Sequence, residues 1–307
     1  VYGYASVAGY TVNNNILKFD PETMTTIASY NTADVSKAQN ITVDATHMFY
    51  NYGYNSSAMT VALKENHSSA QNYSISYNSR GAIALDQTHY YATTNNSRIR
   101  KFTKSGPLDA NGTSYISGEI YGIALDHNYV YAAGDGTLGI FYRGNLNGAN
   151  GTQLSQFSTT SCIMSDDTHI YCSGYAGSQS ARLCFYRISK SNLGSTTFYD
   201  VHRSTIGSGA TGGNYTNAIQ VDSDYVYMVG YNCNSVVKVN KSALSFNSSC
   251  IINGSYSHNG SPLSMDHGKG ITADEDHLYV AGSCNLGPVI IKIAKKVRMP
   301  INNLFNL

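Results

Sequence analysis

Apolar and polar residues alternate along this chain in short runs, and the runs return in a fixed order. The clearest copy is Ile271-Thr272-Ala273-Asp274-Glu275-Asp276-His277-Leu278-Tyr279-Val280-Ala281-Gly282. Earlier copies run from Ile41 to Asp44 and on to Phe49, from Ile83 to Asp86 with Tyr91, and from Ile123 to Asp126 with Tyr131 and Gly134. Two more run from Ile163 to Asp166 with Tyr171 and Gly174, and from Ile219 to Asp222 with Tyr227 and Gly230. The template is Ile-x-x-Asp, two turn residues, His or Tyr, an apolar residue, an aromatic, and usually a closing Gly. Period-two alternation marks strands with one buried face, so each copy predicts a β-hairpin. A third run ending in a basic residue follows the hairpin, as in Ile16-Leu17-Lys18, Ala62-Leu63-Lys64, Arg98-Ile99-Arg100-Lys101, Phe141-Tyr142-Arg143, Phe185-Tyr186-Arg187, Val236-Val237-Lys238 and Ile290-Ile291-Lys292. A weaker fourth run, such as Ile27-Ala28-Ser29-Tyr30 or Cys250-Ile251-Ile252, completes most units.

The intervals between successive repeat aspartates are 42, 40, 40, 56 and 52 residues. A period of this size is the signature of an array of supersecondary units that bury their apolar faces on one another. A single domain over 1–307 is expected, with units at approximately 1–39, 40–80, 81–120, 121–160, 161–217, 218–269 and 270–307. Aligning Ala8-Gly9 with Val229-Gly230 and Ala281-Gly282 leaves the first unit without its innermost strand. The tail Pro300–Leu307 is expected to fill that slot, or to complete the last unit. The two long intervals hold insertions, a glycine-rich loop over 203–217 and a second loop over 255–269, both on the end where loops between units gather. Tyr (26 residues), Asn, Ser, Thr and Gly displace the residues that helices favour, so almost no helix is expected.

The formal net charge is +1 and only 13% of residues are charged, which excludes a nucleic-acid footprint. The apolar runs are strand-sized, and none spans a membrane as a helix. Sequons of the form Asn-x-Ser/Thr stand at Asn40, Asn55, Asn66, Asn72, Asn95, Asn111, Asn150, Asn214, Asn240, Asn247, Asn253 and Asn259. Chance would give roughly half as many in such a composition, so a secreted glycoprotein carrying N-linked glycans is expected. The six cysteines, Cys162, Cys172, Cys184, Cys233, Cys250 and Cys284, fit an exported chain. Disulfides are expected with the pairing open: Cys162 and Cys172 lie on two arms of one hairpin, Cys184 on the next strand, and Cys233 and Cys284 in matching loops.

Four strands per unit and seven units predict an all-β fold, a seven-bladed β-propeller of four-stranded antiparallel blades. Ile16-Leu17-Lys18-Phe19-Asp20-Pro21 and the stretch from Ile219 to Asn240 resemble the blades of NHL-repeat and YVTN-type propellers. Those families share an inner strand ending in Asp and a Tyr-containing second strand. The chain departs from them in lacking Pro and Gly runs between units, and its lack of Trp sets it apart from WD repeats. The resemblance implies an architecture and no particular activity.

His47, His89, His169 and His277 each follow a repeat aspartate by three residues, a spacing that raises an acid–base or metal reading. The better reading is that the Asp caps the turn and the His, replaced by Tyr129 and Tyr225 in two units, begins the second strand. Asp222-Ser223-Asp224 and Asp274-Glu275-Asp276 open like calcium loops but lack the Gly and the distal Glu. Cys/His pairs at zinc spacing, a nucleophile elbow and a phosphate loop are absent, so no catalytic, metal or cofactor residue is expected. The basic residues of the third strands are expected near the rim with their charge in water. The function expected is a non-catalytic extracellular structural or assembly subunit that polymerises by strand exchange through the incomplete first unit. Its partner would be another copy of itself or another extracellular protein. The alternatives are an adhesive propeller recognising glycan or protein through its loops, and a propeller enzyme with a site in its central channel.

Overall fold

Tyr129-Val130-Tyr131-Ala132-Ala133-Gly134 is apolar at nearly every position, where a strand with one wet face would alternate. The packing explains this: Tyr131 and Ala133 lie in one buried cluster with Ile170, Cys172 and Tyr186. Val130 and Ala132, on the opposite face, lie in another with Tyr91 and Ile99. A strand buried on both faces reads as a continuous apolar run. A computed structural model describes residues 2–7, 15–31, 38–52, 58–74, 79–94, 98–104, 108–116, 118–146, 151–155, 160–175, 182–202, 216–230, 235–246, 251–253, 256–258, 261–263, 265–284 and 287–295.

The fold is all-β, with seven antiparallel sheets of three or four strands. Sheet 1 holds β1 (Gly3–Val7), β2 (Asn15–Phe19) and β3 (Thr26–Asn31). Sheet 2 holds β4 (Ala38–Val43), β5 (His47–Tyr52), β6 (Ala58–Leu63) and β7 (Gln71–Ser74). Sheet 3 holds β8 (Ser79–Leu85), β9 (His89–Thr94), β10 (Arg98–Thr103) and β11 (Leu108–Tyr115). Sheet 4 holds β12 (Ile120–Leu125), β13 (Tyr129–Gly134), β14 (Leu138–Tyr142) and β15 (Thr152–Leu154). Sheet 5 holds β16 (Thr160–Ser165), β17 (His169–Tyr175), β18 (Arg182–Ser189) and β19 (Thr196–His202). Sheet 6 holds β20 (Thr216–Val221), β21 (Tyr225–Gly230), β22 (Ser235–Asn240) and β23 (Ile251–Asn253). A two-stranded hairpin, β24 (Tyr256–His258) with β25 (Ser261–Leu263), precedes sheet 7, which holds β26 (Met265–Ala273), β27 (His277–Cys284) and β28 (Gly287–Ala294). The second insertion, expected to be loop, therefore contains strands, and β26 begins five residues before the Gly270 that the repeat suggested.

Consecutive sheets share apolar clusters, one at each junction. Tyr50 and Ile16 join sheets 1 and 2. Phe49 and Tyr90 join sheets 2 and 3. Phe185 and Val226 join sheets 5 and 6, and Tyr227 and Val280 join sheets 6 and 7. Ala5 and Phe19 of sheet 1 pack on Tyr279 of sheet 7, so the last sheet meets the first. Fully burying a side chain such as Phe185 contributes about 2–3 kcal/mol, and these clusters are the main cohesion between sheets. The closing glycine of the repeat has a local cause: at Gly134 a Cβ would stand 1.6 Å from the Glu119 carbonyl oxygen, opposite a bulge between Ile120 and Gly122.

The register of sheet 1 identifies what it lacks. Tyr4 stands opposite Lys18 as Tyr227 stands opposite Lys238 and Tyr279 opposite Lys292. Thus β1 is a second strand, and the Ile-x-x-Asp strand that would pair on its other edge has no counterpart among the described residues. The tail 300–307, expected to fill that slot or to complete the last unit, lies outside the described residues.

The expected disulfides are not formed at the three cysteines whose side chains are described: Cys162, Cys172 and Cys184 are buried thiols outside any disulfide. The reason is register, since Cys162 faces Ser173 and Cys172 faces Ile163, a one-residue offset that sends the two thiols to opposite faces of sheet 5. Cys162 packs toward sheet 6, and Cys172 and Cys184 pack toward sheet 4. Cys233 and Cys250 lie outside the described residues, and Cys284 closes β27 with its side chain undescribed. Burial pushes the Cys162 and Cys172 thiols well above their usual range, which suppresses the reactive thiolate. Alkylation of the native protein is therefore expected to spare Cys162, Cys172 and Cys184 and to reach all three after denaturation. A non-reducing peptide map that joined any of them to another cysteine would overturn this assignment.

Candidate functional site

Each repeat aspartate ends its strand at a turn, and at Asp86, Asp126, Asp166 and Asp222 the carboxylate is shared among three tasks. At Asp126, Oδ1 accepts the backbone N–H groups of Asn128 and Tyr129, both at 2.8 Å. Oδ2 accepts the Tyr131 hydroxyl and, at 2.6 Å, the Lys190 ammonium of the following sheet. The turn bonds explain why Asp recurs there: a short carboxylate satisfies the amides that a tight turn leaves open. The tyrosine explains the aromatic five residues later, with Tyr91 donating to Asp86 at 2.8 Å, Tyr171 to Asp166 at 2.9 Å and Tyr227 to Asp222 at 3.0 Å.

The third task ties neighbouring sheets together. Asp44 pairs with Lys104 at 2.7 Å, Asp86 with Arg143 at 3.7 Å, Asp166 with Lys241 at 2.5 Å and Asp222 with Lys295 at 3.0 Å. In each case the cation follows the third strand of the next sheet. The ammonium groups also lie over the aromatic ring of the preceding sheet, Lys190 at 5.0 Å from Tyr131, Lys241 at 5.7 Å from Tyr171 and Lys295 at 5.7 Å from Tyr227. This partner is hard to pick out from residue order, because two different basic positions fall within a few residues of each other. Lys18, Lys101, Arg187, Lys238 and Lys292 lie within the strands, whereas Lys64 and Arg143 occupy the position three residues further on, with Lys104, Lys190, Lys241 and Lys295.

The in-strand cations do not extend into water, as expected from sequence, but cross to the next sheet. Lys101 donates to the Arg143 carbonyl at 3.4 Å, Arg187 to the Lys241 carbonyl at 2.8 Å and Lys238 to the Lys295 carbonyl at 3.2 Å. Lys292 of sheet 7 donates to the Pro21 carbonyl of sheet 1 at 2.8 Å, so the last junction follows the same rule as the interior ones. Buried Lys18 instead reaches Glu65 at 3.3 Å.

Sheet 1 breaks the carboxylate pattern twice. Pro21 occupies the place of the bridging cation, and Asp274 keeps its turn amides and Tyr279, at 2.7 Å, with no cross-sheet cation among the described residues. The cleft beside it, about 620 Å³, gathers Asp20, Glu22, Asp274, Glu275 and Asp276 against Lys292 and His277. On the other flank, Lys64 lies 5.2 Å from the Tyr4 ring as its counterparts lie over theirs, with no carboxylate of sheet 1 to meet it. Burial lowers the Lys64 pKa, the nearby Asp44 carboxylate partly offsets that, and Lys18 adds to the lowering.

The histidines bond locally: His47, His89 and His169 share a hydrogen bond through Nδ1 with Thr46, Thr88 and Thr168 at 2.7, 2.8 and 2.7 Å. They stand on separate sheets and do not converge, and no group of three or more His, Cys, Asp or Glu able to hold a metal occurs among the described residues. Of the sequon asparagines, Asn40, Asn66 and Asn72 are exposed and Asn240 is half-buried. Asn111 and Asn253 lie in β11 and β23 with undescribed side chains, and Asn55, Asn95, Asn150, Asn214, Asn247 and Asn259 lie outside the described residues.

Burial alone would raise the Asp126 carboxyl, but Lys190, Tyr131 and the turn amides outweigh it and hold the pKa down at about 2 from 3.8. Asp44, bonded by Lys104 and the amides of His47 and Thr46 against the same burial, is likewise lowered to about 2. A carboxylate depressed in the folded state contributes stability that is full above the unfolded pKa and is lost as pH falls through the folded value. Unfolding stability should accordingly drop between about pH 4 and pH 2. At neutral pH, Asp126→Asn should cost about 2 kcal/mol, because it removes charge-assisted bonds and leaves Lys190 partly buried and unpaired. The exposed control Asp167→Asn should stay within about 0.5 kcal/mol. Denaturant titrations from pH 7 to pH 2 check both points: the deficit of Asp126→Asn relative to the unmodified chain should shrink as the solution is acidified.

No protein-family model matches the chain, and no curated protein is significantly similar to it.

Proposed function

We propose that this chain is a secreted, N-glycosylated, seven-bladed β-propeller that acts without catalysis as an extracellular structural subunit, joined to its neighbours by strand exchange. The reading is carried by the edge of β1 that is unpaired among the described residues. Six sheets begin with an Ile-x-x-Asp-type strand, and sheet 1 alone begins, among the described residues, with the strand that should come second. β1 nevertheless touches β4 on one side and β27 and β28 on the other, so the place for another strand has neighbours on both flanks. An unpaired edge is a template for a strand from another chain.

Each sheet packs on the next and the seventh on the first, which supports blades arranged around an axis. The role without catalysis draws support from where the repeated acids and bases are used: their bonds hold turns and join sheets. The glycoprotein reading draws support from the sequons. Asn40, Asn66 and Asn72 are exposed, and the bonds that engage Asn66 and Asn72 use Oδ1, leaving Nδ2 for a sugar.

An image of the native particle at side-chain resolution tests the reading. The expected result is a fourth strand laddered to β1 that belongs to another subunit, with sugar on Asn40, Asn66 and Asn72. A monomer whose β1 edge is paired within its own chain would overturn the assembly role, and bare asparagines would overturn the glycoprotein.

A further inference from the structure

Sheet 4 departs from the pattern of crossing cations. The third-strand residue opposite the second-strand tyrosine is Lys18 in sheet 1, Lys101 in sheet 3, Arg187 in sheet 5, Lys238 in sheet 6 and Lys292 in sheet 7. Opposite Tyr131 in sheet 4 it is Ile140. Lys101, Arg187 and Lys238 each donate to the carbonyl of the basic residue that follows the third strand of the next sheet. At the junction of sheets 4 and 5 that carbonyl belongs to Lys190, whose own N–H bonds to Thr168 as that of Lys241 bonds to Asp224. No side-chain cation donates to it among the described residues.

Sheet 6 shows what the aromatic residues at this place do when the cation is present. The Lys238 ammonium lies 3.9 Å from the centre of the Tyr225 ring and 5.9 Å from that of Tyr227, and the Lys295 ammonium shares Tyr227 at 5.7 Å. One tyrosine pair thus takes two cations. By register Tyr129 and Tyr131 are the same pair in sheet 4, and Lys190 lies over Tyr131 as Lys295 lies over Tyr227. A counterpart of Lys238 is what sheet 4 lacks. A cleft of about 690 Å³ opens there instead, with Tyr129, Tyr131, Ile140, Tyr142, Asp167 and Lys190 among its walls. Tyr142 takes the place of Asn240 and stands edge-on to Tyr129, ring centres 6.3 Å apart. Tyr129 is 41% and Tyr142 52% exposed, so both offer ring surface to a ligand. Sheet 2 also has an aliphatic residue at this place, Val61, but flanks it with His47 and Leu63 where sheet 4 has the two exposed tyrosines.

We propose that this cleft binds a primary alkylammonium group, which donates to the Lys190 carbonyl and rests its charge against the Tyr129 ring, as Lys238 does within sheet 6. The negative face of the ring attracts a cation and gives a neutral ligand of the same shape no such gain. The Asp167 carboxylate at the rim offsets the charge of Lys190. A free alkylamine and the lysine side chain of another protein present the same group. The site lies away from the β1 edge, so it stands or falls apart from the assembly reading.

The probes are n-butylammonium, its neutral counterpart 1-butanol, and Nα-acetyl-lysine N-methylamide, each titrated against the 307-residue chain with binding read by ligand-observed saturation-transfer NMR. Butylammonium should bind at least about fivefold more tightly than butanol. Tyr129→Leu, which keeps apolar bulk and removes the ring, should erase that preference. Ile140→Lys should supply the ammonium from within the chain and displace butylammonium, while Ile140→Met should leave its binding unchanged. Lysine is expected to fold at this place because Lys101 is buried at the matching one in sheet 3, and an unfolding midpoint no lower than that of the unmodified chain checks it. A lysine amide that binds as tightly as butylammonium upholds the site with a partner's side chain as the source, and one that is shut out upholds it with a free amine. Equal binding of butylammonium and butanol would overturn the proposal. So would ammonium binding that survives both Tyr129→Leu and Ile140→Lys, since it would then lie elsewhere on the chain, as beside the acids near Asp274.

Discussion

The structure depends on one carboxylate per repeat serving two masters. An aspartate at a tight turn satisfies the turn amides with one oxygen, which fixes the hairpin, and offers the other to a tyrosine and to a cation on the next sheet. Because the same atom group closes the turn and bridges the junction, the position of each sheet is referred to the backbone of its neighbour. A cross-sheet ion pair between free surface side chains would contribute little. Here the aspartate is held by its own turn and the lysine stem lies along an aromatic ring, so less freedom is lost on pairing and less water competes.

This arrangement accounts for a composition that is otherwise odd for a large buried assembly. Tyrosine is abundant because the position that packs between sheets must also deliver a hydroxyl to the aspartate: Tyr131, Tyr171 and Tyr227 are almost fully buried and each donates to its carboxylate. The repeat aspartates and the cations that follow the third strands are committed to junctions. The Lys and Arg in the third strands follow the same economy, crossing to carbonyl groups on the neighbouring sheet that no ladder partner satisfies.

Period-two alternation and the recurring Ile-x-x-Asp made the hairpins, the number of sheets and the short first sheet legible from sequence, because local turn chemistry and a repeat are written in adjacent residues. The relation between distant units was not. Asp126 and Lys190 are separated by 64 residues, and nothing local distinguishes Lys190 from the in-strand Arg187 three residues before it. The cysteine expectation failed for a related reason. Opposition across a hairpin depends on register to a single residue, and the pairing of Ser165 with Ile170 beside the turn sets Cys162 opposite Ser173 and Cys172 opposite Ile163, which residue spacing alone does not reveal. The strands β24 and β25 were hidden in an insertion whose serines and glycines resemble loop.

Sheet 1 is where the repeat is least like itself, and its departures are linked by geometry. Pro21 replaces the cation that would meet Asp274, so the junction with sheet 7 is held by Lys292 on the Pro21 carbonyl and by a cluster with only Ala5, Phe19 and Tyr279 fully buried. On the opposite flank the cation is present and the acid is not. Among the described residues, neither aspartate bridge that would clamp this sheet is formed. At this sheet the apolar contacts are joined by Lys18 on Glu65, the Tyr30 hydroxyl on the Lys64 carbonyl and Lys292 on the Pro21 carbonyl, whereas its neighbours are aligned as well by aspartate bridges. The sheet whose β1 edge is unpaired among the described residues is thus also the sheet that joins its neighbours without an aspartate bridge.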